Sequence, residues 1–254
     1  MEVLNLINGR HVPAECGKWL NLIDPSKGKS YGRLARSNSI DVEKAVEAAS
    51  KAFKKWSSFS VEKRSKCIDR LADKIHENAE LLAETETRDN GKPIGLSSTV
   101  DIPRAEKNLR FYSSAITHFS SESHYMDGIA INYTLRKPLG VVACISPWNL
   151  PLYLFTWKVA PALAAGNCVV AKPSEITPVT AFLLSQWVQD AGFPDGVFNI
   201  LHGLGNEVGD ALIDHPDIAA VSFTGGTETG SHIASVVAPK FKKMSLELGG
   251  KNAS

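Results

Sequence analysis

Residues 140–172 carry the pattern that decides the fold: GVVACISPWNLPLYLFTWKVAPALAAGNCVVAK. A short apolar run is followed by a proline-bounded turn, a helix-length stretch and a second apolar run, and this alternation continues through the rest of the sequence. The predicted strands are 140–145, 168–172, 197–201, 219–223 and 244–248, and the predicted helices lie near 152–165, 178–190, 206–214 and 228–237. We therefore predict an α/β fold with a Rossmann-like parallel sheet and helices on both faces.

The first half of the chain has a different pattern. Turn signals such as Asn8-Gly9 separate short runs of alternating apolar and polar residues. This pattern predicts a strand-rich amino-terminal region. From Ser39 onward, apolar residues recur every three or four positions. This spacing predicts amphipathic helices, the third ending at Asn90-Gly91 and a longer one covering roughly 98–120. Apolar and polar residues alternate over 129–135, as in a strand with one face exposed to solvent. We expect a helical and short-strand part, a bridging strand segment and the Rossmann-like core, at 1–122, 123–138 and 139–254.

The composition is that of an ordinary globular protein, with 43% hydrophobic residues, 22% charged residues and a net charge of +1 over 254 residues. Such a charge gives no global attraction for nucleic acid or an anionic membrane, so neither is expected as a partner. The amino terminus lacks the pattern of a signal peptide. The four cysteines have no Cys-x-x-Cys spacing, which argues against a zinc site and a disulfide framework. We expect a cytoplasmic protein without a metal site.

Polar and glycine-rich turns follow the predicted core strands, at the edge where parallel sheets bind ligands. These turns are Pro147-Trp148-Asn149-Leu150-Pro151, Lys172-Pro173-Ser174-Glu175, Gly203-Leu204-Gly205-Asn206-Glu207-Val208-Gly209 and Thr224-Gly225-Gly226-Thr227-Glu228-Thr229-Gly230. Each turn also has a purely structural explanation. Asparagine and glycine are common turn-forming residues, and charged side chains at the start of a helix can simply be solvated. Glycines before a helix amino terminus can alternatively bind a phosphate.

The last predicted strand places Glu247 between two leucines. A glutamate in such a strand is often an edge residue that faces water, but the parallel-sheet context predicts burial. Burial would tune the protonation of this carboxylate, as a general base requires.

Together these segments resemble the motifs of the aldehyde dehydrogenase superfamily, and Leu246-Glu247-Leu248-Gly249-Gly250-Lys251 is the most specific of them. The resemblance covers essentially the whole chain but only the first half of such an enzyme. It implies an aldehyde substrate, NAD as cofactor, Asn149 as an oxyanion-hole donor and Glu247 as the base that activates water. The cofactor-binding residues that it implies are Trp148, Lys172, Glu175, Gly205, Gly209, Gly225, Gly226, Thr227 and Gly230.

The resemblance also implies how the cofactor is selected. Lys172 and Glu175 would hold the hydroxyls of the adenine-side ribose, and the carboxylate disfavours a 2′-phosphate, so NAD is preferred over NADP. The family usually has serine where this chain has Gly226, so one hydroxyl contact to phosphate is missing. The segment 123–138 would serve in oligomerisation, and the full-length enzyme is expected to be a homo-oligomer.

The family's nucleophilic cysteine lies beyond the Leu-Glu-Leu-Gly-Gly segment, so none of the four cysteines is expected to be the nucleophile. Cys67, Cys144 and Cys168 lie in apolar elements and are expected to fill the core, whereas Cys16 has no activating neighbour. Two other classes stay open. The chain could be a truncated, inactive isoform that binds NAD or a full-length subunit, or an incomplete gene product.

Within the superfamily, residues 147–161 and Asp101-Ile102-Pro103-Arg104 look like those of 2-aminomuconic and 2-hydroxymuconic semialdehyde dehydrogenases. The substrate would then be a dicarboxylic semialdehyde. Arg104 suits bidentate recognition of a carboxylate, and a solvated helix charge explains it equally well.

Overall fold

The computed structural model describes residues 1–251, and the last three residues of the predicted core, 252–254, lie outside the described part. The strands are β1 Glu2–Val3, β2 Asn5–Ile7, β3 Arg10–Val12, β4 Trp19–Asp24, β5 Lys29–Ala35, β6 Ser123–Met126, β7 Ala130–Tyr133, β8 Val141–Ile145, β9 Cys168–Lys172, β10 Phe198–Ile200, β11 Ile218–Gly225 and β12 Lys243–Leu248. The helices are α1 Ser39–Ser57, α2 Val61–Glu77, α3 Ala79–Asn90, the single turn α4 Ile94–Leu96, α5 Ile102–Thr117, α6 Pro151–Ala164, α7 Val179–Ser185, α8 Asp210–Asp214 and α9 Thr227–Val237. The π-helical turns Ser97–Asp101 and Gly205–Gly209 precede α5 and α8, and the 3₁₀ turn Ala238–Lys240 follows α9.

A seven-stranded sheet in the order β12-β11-β8-β9-β10-β2-β3 forms the centre of the fold. The five strands predicted from the alternation are present and pair in parallel, with Val142 opposite Val169 and Val221 opposite Ala143. All residues of β9 are buried, as expected for a strand covered on both faces. The predicted α/β class with a Rossmann-like sheet is confirmed.

Two amino-terminal strands extend this sheet in the antiparallel direction. β2 pairs with β10 through Leu6 and Ile200, and β3 pairs with β2. The buried Asn5 fixes this junction, because its side chain accepts from the backbone N–H of His202 at 2.8 Å and donates to Ser37 Oγ at 2.8 Å. The other amino-terminal strands form a separate sheet in the order β1-β5-β4. The division of the chain into three parts stays a prediction.

The helix boundaries follow from local chemistry. The side chain of Asn38 caps α1, and Asp41 completes a capping box. α3 ends at Gly91, whose φ of 84° confirms the predicted left-handed stop. α7 ends at Ser185, earlier than predicted, because the N–H groups that follow bond three residues back instead of four. The first half of the helix predicted at 206–214 is a π-helical turn.

The apolar side chains of the sheet and the helices form one large core. Cys67, Cys144 and Cys168 are buried in it, as predicted, and Cys16 is exposed. No helix within residues 1–251 has both the length and the apolar character that a membrane crossing requires.

A hairpin of β6 and β7 stands apart from both sheets. The alternation at 129–135 predicted β7 but not β6, its pairing partner. Both strands are exposed along their whole length, and the apolar side chains of Tyr125, Ile131 and Tyr133 face solvent with 64%, 66% and 67% of their surface exposed. Contiguous exposed apolar surface of this kind is typical of an interaction site.

His202, which follows β10, is buried, and neither ring nitrogen has a hydrogen-bond partner among the described residues. Burial, with smaller contributions from Lys172 and His11, lowers the pKa of His202 to about 3. The native state therefore holds this imidazole neutral.

Replacing His202 with leucine should reduce the loss of stability in mild acid. The unfolded chain binds a proton at His202 below the ordinary pKa of 6.5, while the native state binds it only near pH 3. The free energy of unfolding of the wild type should therefore fall as the pH decreases through this window. Urea titrations at about pH 7 and about pH 5 measure the difference, and His118→Leu, at an exposed position, is the matched control. An equal pH dependence in wild type and His202→Leu would contradict the prediction.

Candidate functional site

The strand order reverses at β8, which lies between β9 and β11. From β8 the chain runs outward through β9 and β10 and then crosses back to β11 and β12 on the other side. The turns after β8 and β11 therefore diverge and open a crevice at the carboxyl ends of the strands, where doubly wound sheets bind ligands. The predicted site residues lie along this edge.

A cavity of about 470 Å³ occupies the crevice, within the usual range for small-molecule sites. The predicted cofactor-binding residues that line it are Trp148, Lys172, Glu175, Gly205, Gly209, Gly225 and Gly226. The other two, Thr227 and Gly230, lie in the first turn of α9 and are absent from its lining. A Cβ at Gly230 would come within 2.4 Å of the Leu248 side chain, so packing against β12 explains this glycine.

Lys172 is buried at the end of β9, and its ammonium donates to Glu175 Oε2 at 3.1 Å and to the Pro173 carbonyl at 3.2 Å. Burial lowers the pKa of Lys172, and the Glu175 carboxylate partly opposes this shift. Glu175 is half-buried. The pair therefore presents a fixed cation and carboxylate to the cavity, in contrast to the two solvated charges that the sequence also allowed.

α9 begins at Thr227 after Gly226, which has no side chain to cap the first turn. The first N–H groups of the helix are thus available to an anion, at the positive end of the helix dipole. A Cβ at Gly205, Gly209 or Gly226 would meet nothing within 4 Å, so these glycines leave open space at the cavity. Gly225 differs, because a Cβ there would come within 2.4 Å of an aromatic ring.

Two hydroxyl groups on the cavity wall, Ser146 Oγ and Thr224 Oγ1, are buried without a hydrogen-bond partner among residues 1–251. A buried hydroxyl without a partner costs about 1–3 kcal/mol, so these groups fit a polar ligand such as a dinucleotide. Neither residue is among the site residues predicted from the sequence. Their positions offered a signal, since Ser146 directly precedes the turn at 147–151 and Thr224 begins the turn at 224–230.

A second cavity of about 670 Å³ shares with the first a wall formed by Pro147, Trp148 and 224–226. Asn149 and Glu247 both line it. Asn149 is exposed, and its side-chain amide is available to a ligand. The structure therefore brings the two predicted catalytic residues to one cavity, next to the predicted cofactor residues.

Glu247 is exposed, so the predicted burial of this side chain is wrong. β12 pairs with β11, with Glu247 opposite Thr224, and forms the edge of the sheet within the described part of the chain. A strand with one neighbour is open along its other side. The alternative explanation of an edge residue facing water therefore applies to Glu247.

Lys158 of α6 is a buried residue near the site and is not among the predicted site residues. Its ammonium donates to Ser222 Oγ at 3.3 Å. Burial lowers the pKa of Lys158, while Cys144 and Glu247 oppose this shift, so its charge interacts with the predicted base. The signal for it was a lone lysine in the apolar stretch 150–165, because lysines are rarely buried without a partner.

The described residues that line the second cavity include no cysteine. Burial raises the pKa of the Cys144 and Cys168 thiols to about 12 and also raises the pKa of Cys67. Higher pKa values suppress the thiolate, which is the nucleophilic form. Cys16 is exposed and donates to the Arg36 carbonyl at 3.2 Å. Residues 1–251 thus place no activated thiol beside Asn149.

Known proteins resemble this chain along nearly its whole length. The model of the aldehyde dehydrogenase family matches residues 11–254. The chain is 50% identical over 249 residues to the 2-aminomuconic semialdehyde dehydrogenase of Bos taurus, covering 98% of this chain and 51% of that protein. It is 43% identical over 258 residues to the 2-hydroxymuconic semialdehyde dehydrogenase of Pseudomonas sp. (strain CF600), covering 99% and 53%. The chain spans about half the length of the curated relatives it matches.

Solved structures share the fold. The NAD⁺ complex of an aldehyde dehydrogenase from Bacillus cereus matches with a TM-score of 0.97 and 37% identity, covering 99% of this chain and 52% of that one. PnpE in complex with nicotinamide adenine dinucleotide matches with a TM-score of 0.96 and 40% identity, covering 100% and 52%. The family match confirms the resemblance inferred from the strand-end motifs, and the chain belongs to the aldehyde dehydrogenase family.

Proposed function

We propose that this chain is the cofactor-binding part of an NAD-dependent enzyme that oxidises an aldehyde to a carboxylic acid. The observation that carries the proposal is the wall shared by the two cavities, which includes Trp148 and 224–226. A cofactor in the first cavity would adjoin a substrate held beside Asn149 and Glu247 in the second.

The proposed task of the first cavity is to bind and orient the dinucleotide. NAD supplies a hydride acceptor when it is bound. Lys172 and Glu175 would hold the hydroxyls of the adenine-side ribose, and the free N–H groups at the start of α9 would bind the pyrophosphate. The open space at Gly205 and Gly226 and the two unpartnered hydroxyls of the wall support this arrangement.

The proposed tasks of the second cavity are oxyanion stabilisation and water activation. The Asn149 amide would donate to the oxygen of the tetrahedral thiohemiacetal, a contribution of about 3 kcal/mol in comparable sites. Glu247 would accept a proton from the water that hydrolyses the thioester, and its exposure gives water access. The buried ammonium of Lys158 lies close enough to Glu247 for their charges to interact.

The reaction also needs a thiolate, which residues 1–251 do not place beside Asn149. A second candidate function is therefore NAD binding without turnover, for a polypeptide limited to this sequence. The buried, poorly ionised thiols of Cys67, Cys144 and Cys168 favour it. Such a polypeptide should bind NAD and form no NADH from any aldehyde.

We infer a dicarboxylic semialdehyde as the substrate of the whole enzyme, in line with the names of the two relatives. The exposed guanidinium of Arg104 on α5 lies 5.9 Å from the ring centroid of Tyr153 on α6. Trp157, one turn further along α6, lines the second cavity. Arg104 does not itself line that cavity, and the proposal is that its long side chain reaches the distal carboxylate of such a substrate and pairs with it.

We further propose that the whole enzyme is a homo-oligomer and that the exposed hairpin of β6 and β7 contributes to its interface, since apolar side chains cover that hairpin. The free thiols of all four cysteines support a reducing compartment such as the cytosol.

Glu175→Gln should narrow the preference for NAD over NADP by about tenfold, because it removes a carboxylate that repels a 2′-phosphate and frees the Lys172 ammonium to contact it. Calorimetric titration of both nucleotides measures the change. Glu228→Gln removes another carboxylate from the same cavity and should change both affinities alike. Equal affinities for the two nucleotides in the wild type would rule out the proposed role of Glu175.

Asn149→Ala and Glu247→Gln should affect different steps in the complete gene product. Asn149→Ala should slow the first burst of NADH by about a hundredfold to a thousandfold, since the oxyanion loses a donor. Glu247→Gln should keep the burst and slow the steady state by about a hundredfold, since the acyl-enzyme awaits hydrolysis. Rapid-mixing measurements of NADH absorbance separate the two steps. Loss of the burst in Glu247→Gln would argue against its role in hydrolysis.

Arg104→Leu should raise KM for a dicarboxylic semialdehyde by about tenfold or more, with little change for an uncharged aldehyde, because only the former loses a charged hydrogen bond. Steady-state kinetics with the two substrates test this. Lys107→Leu, at another exposed cation of α5, serves as the control. The same KM change with both aldehydes would show that Arg104 does not recognise a carboxylate.

A further inference from the structure

The turn that carries Trp148 and Asn149 is bound by a buried ionic cluster from another part of the chain. The cluster consists of Glu86 of α3, Lys92 and Asp101, with 0%, 9% and 0% of their surface exposed. The Lys92 ammonium donates to Asp101 Oδ2 and lies 3.4 Å from Glu86 Oε1. None of these three residues belongs to the site described above.

Lys92 and Glu86 both contact the backbone of the turn directly. The Lys92 ammonium donates to the carbonyl of Asn149 at 3.0 Å. Glu86 Oε2 accepts from the backbone N–H of Leu152, in the first turn of α6, at 3.2 Å. A buried ammonium and a buried carboxylate thus hold the two ends of the segment 149–152.

A neighbouring contact fixes the preceding residue. The carbonyl of Trp148 accepts from Asn90 Nδ2 at 2.7 Å and from Thr177 Oγ1 at 3.3 Å. The backbone of the turn is therefore bound from several directions, while the Asn149 side chain is exposed on the cavity wall. This arrangement holds the backbone and leaves the amide available to a ligand.

The cluster holds two carboxylates and one ammonium. Burial, followed by the hydrogen bond with Asp101, raises the pKa of Glu86. A proton held by Glu86 would balance the charges and give a donor to Asp101 Oδ1, which has no other partner among the described residues. Asp101 ends the π-helical turn Ser97–Asp101, and such turns are frequent at functional sites.

We propose that Lys92, held by Glu86 and Asp101, is a positioning residue that fixes the Trp148–Asn149 turn and so aims the Asn149 amide at the reacting oxygen. This inference rests on the proposed function of Asn149. A buried cation of this kind costs free energy unless its partners are well placed, and preorganised oxyanion donors need supporting contacts of this kind.

A double-mutant cycle in the complete gene product tests the proposal. Lys92→Met should lower kcat by about tenfold to a hundredfold, because a small displacement of an oriented donor has effects of this size. In the Asn149→Ala background the same substitution should lower kcat by less than about twofold, since no amide remains to be aimed. The proposal would be overturned if Lys92→Met lowered kcat by the same factor with and without Asn149. An unchanged kcat in Lys92→Met alone would also overturn it.

A second variant avoids leaving unpaired buried charges. Asn90→Ala removes only the contact with the Trp148 carbonyl and should lower kcat by about threefold to tenfold, again only when Asn149 is present. Lys107→Met, at an exposed lysine of α5, should leave kcat unchanged. Should Lys92→Met fail to fold, the cycle of Asn90→Ala with Asn149→Ala decides the question by the same criterion.

Hydrogen exchange separates this proposal from the proposed function. If the wild type oxidises no aldehyde, kcat does not test the function of Asn149, and exchange at the Leu152 amide still tests whether the cluster fixes the turn. That exchange should be at least about tenfold faster in Lys92→Met, with unchanged protection of the β9 amides at 169–171. Equal exchange at Leu152 in variant and wild type would refute the positioning role.

Discussion

Parallel strands can be joined only by crossovers, and this constraint governs the rest of the molecule. Each connection from β8 to β9 and from β11 to β12 must return across the sheet, and here a helix makes each return. The strands therefore point the same way, the side chains of the central strands β8 and β9 are covered on both faces, and the carboxyl ends of the strands meet at one edge. The return of the chain across β8 then opens that edge into the crevice that holds the site.

Polar groups around the crevice fall into two sets. Those that hold the framework make hydrogen bonds between distant segments, as in the contacts of Lys92 with Asp101 Oδ2 and of Asn5 with the backbone N–H of His202. Those that face the cavities include the unpartnered hydroxyls of Ser146 and Thr224. Because burial of an unpartnered polar group is unfavourable, the second set favours the binding of a polar ligand, whereas the first set connects elements of the framework to one another.

Burial also shifts the pKa values of the ionisable residues, in opposite directions for lysines and cysteines. It lowers the pKa of Lys158 and Lys172 and raises that of the Cys144 and Cys168 thiols, because in each case the charged form is disfavoured. The two lysines keep carboxylate neighbours that oppose the shift. The two thiols have no neighbour that opposes their shift to a comparable extent, so they pack as apolar side chains. Residues 1–251 therefore place no activated thiol beside the proposed cofactor and water-activation sites.

The sequence by itself determined the five parallel strands, the approximate positions of the helices between them, the stop at Gly91 and the family. These features depend on local periodicity, capping residues and short motifs, all of which involve residues that are close together in the sequence. Only the tertiary structure decided that β2 and β3 join the central sheet, that β6 pairs with β7, that Glu247 lies exposed on an edge strand, and that Lys92 contacts the Asn149 turn. Most of these outcomes depend on contacts between residues far apart along the chain. No local sequence pattern predicts which distant segments will pack or pair with each other.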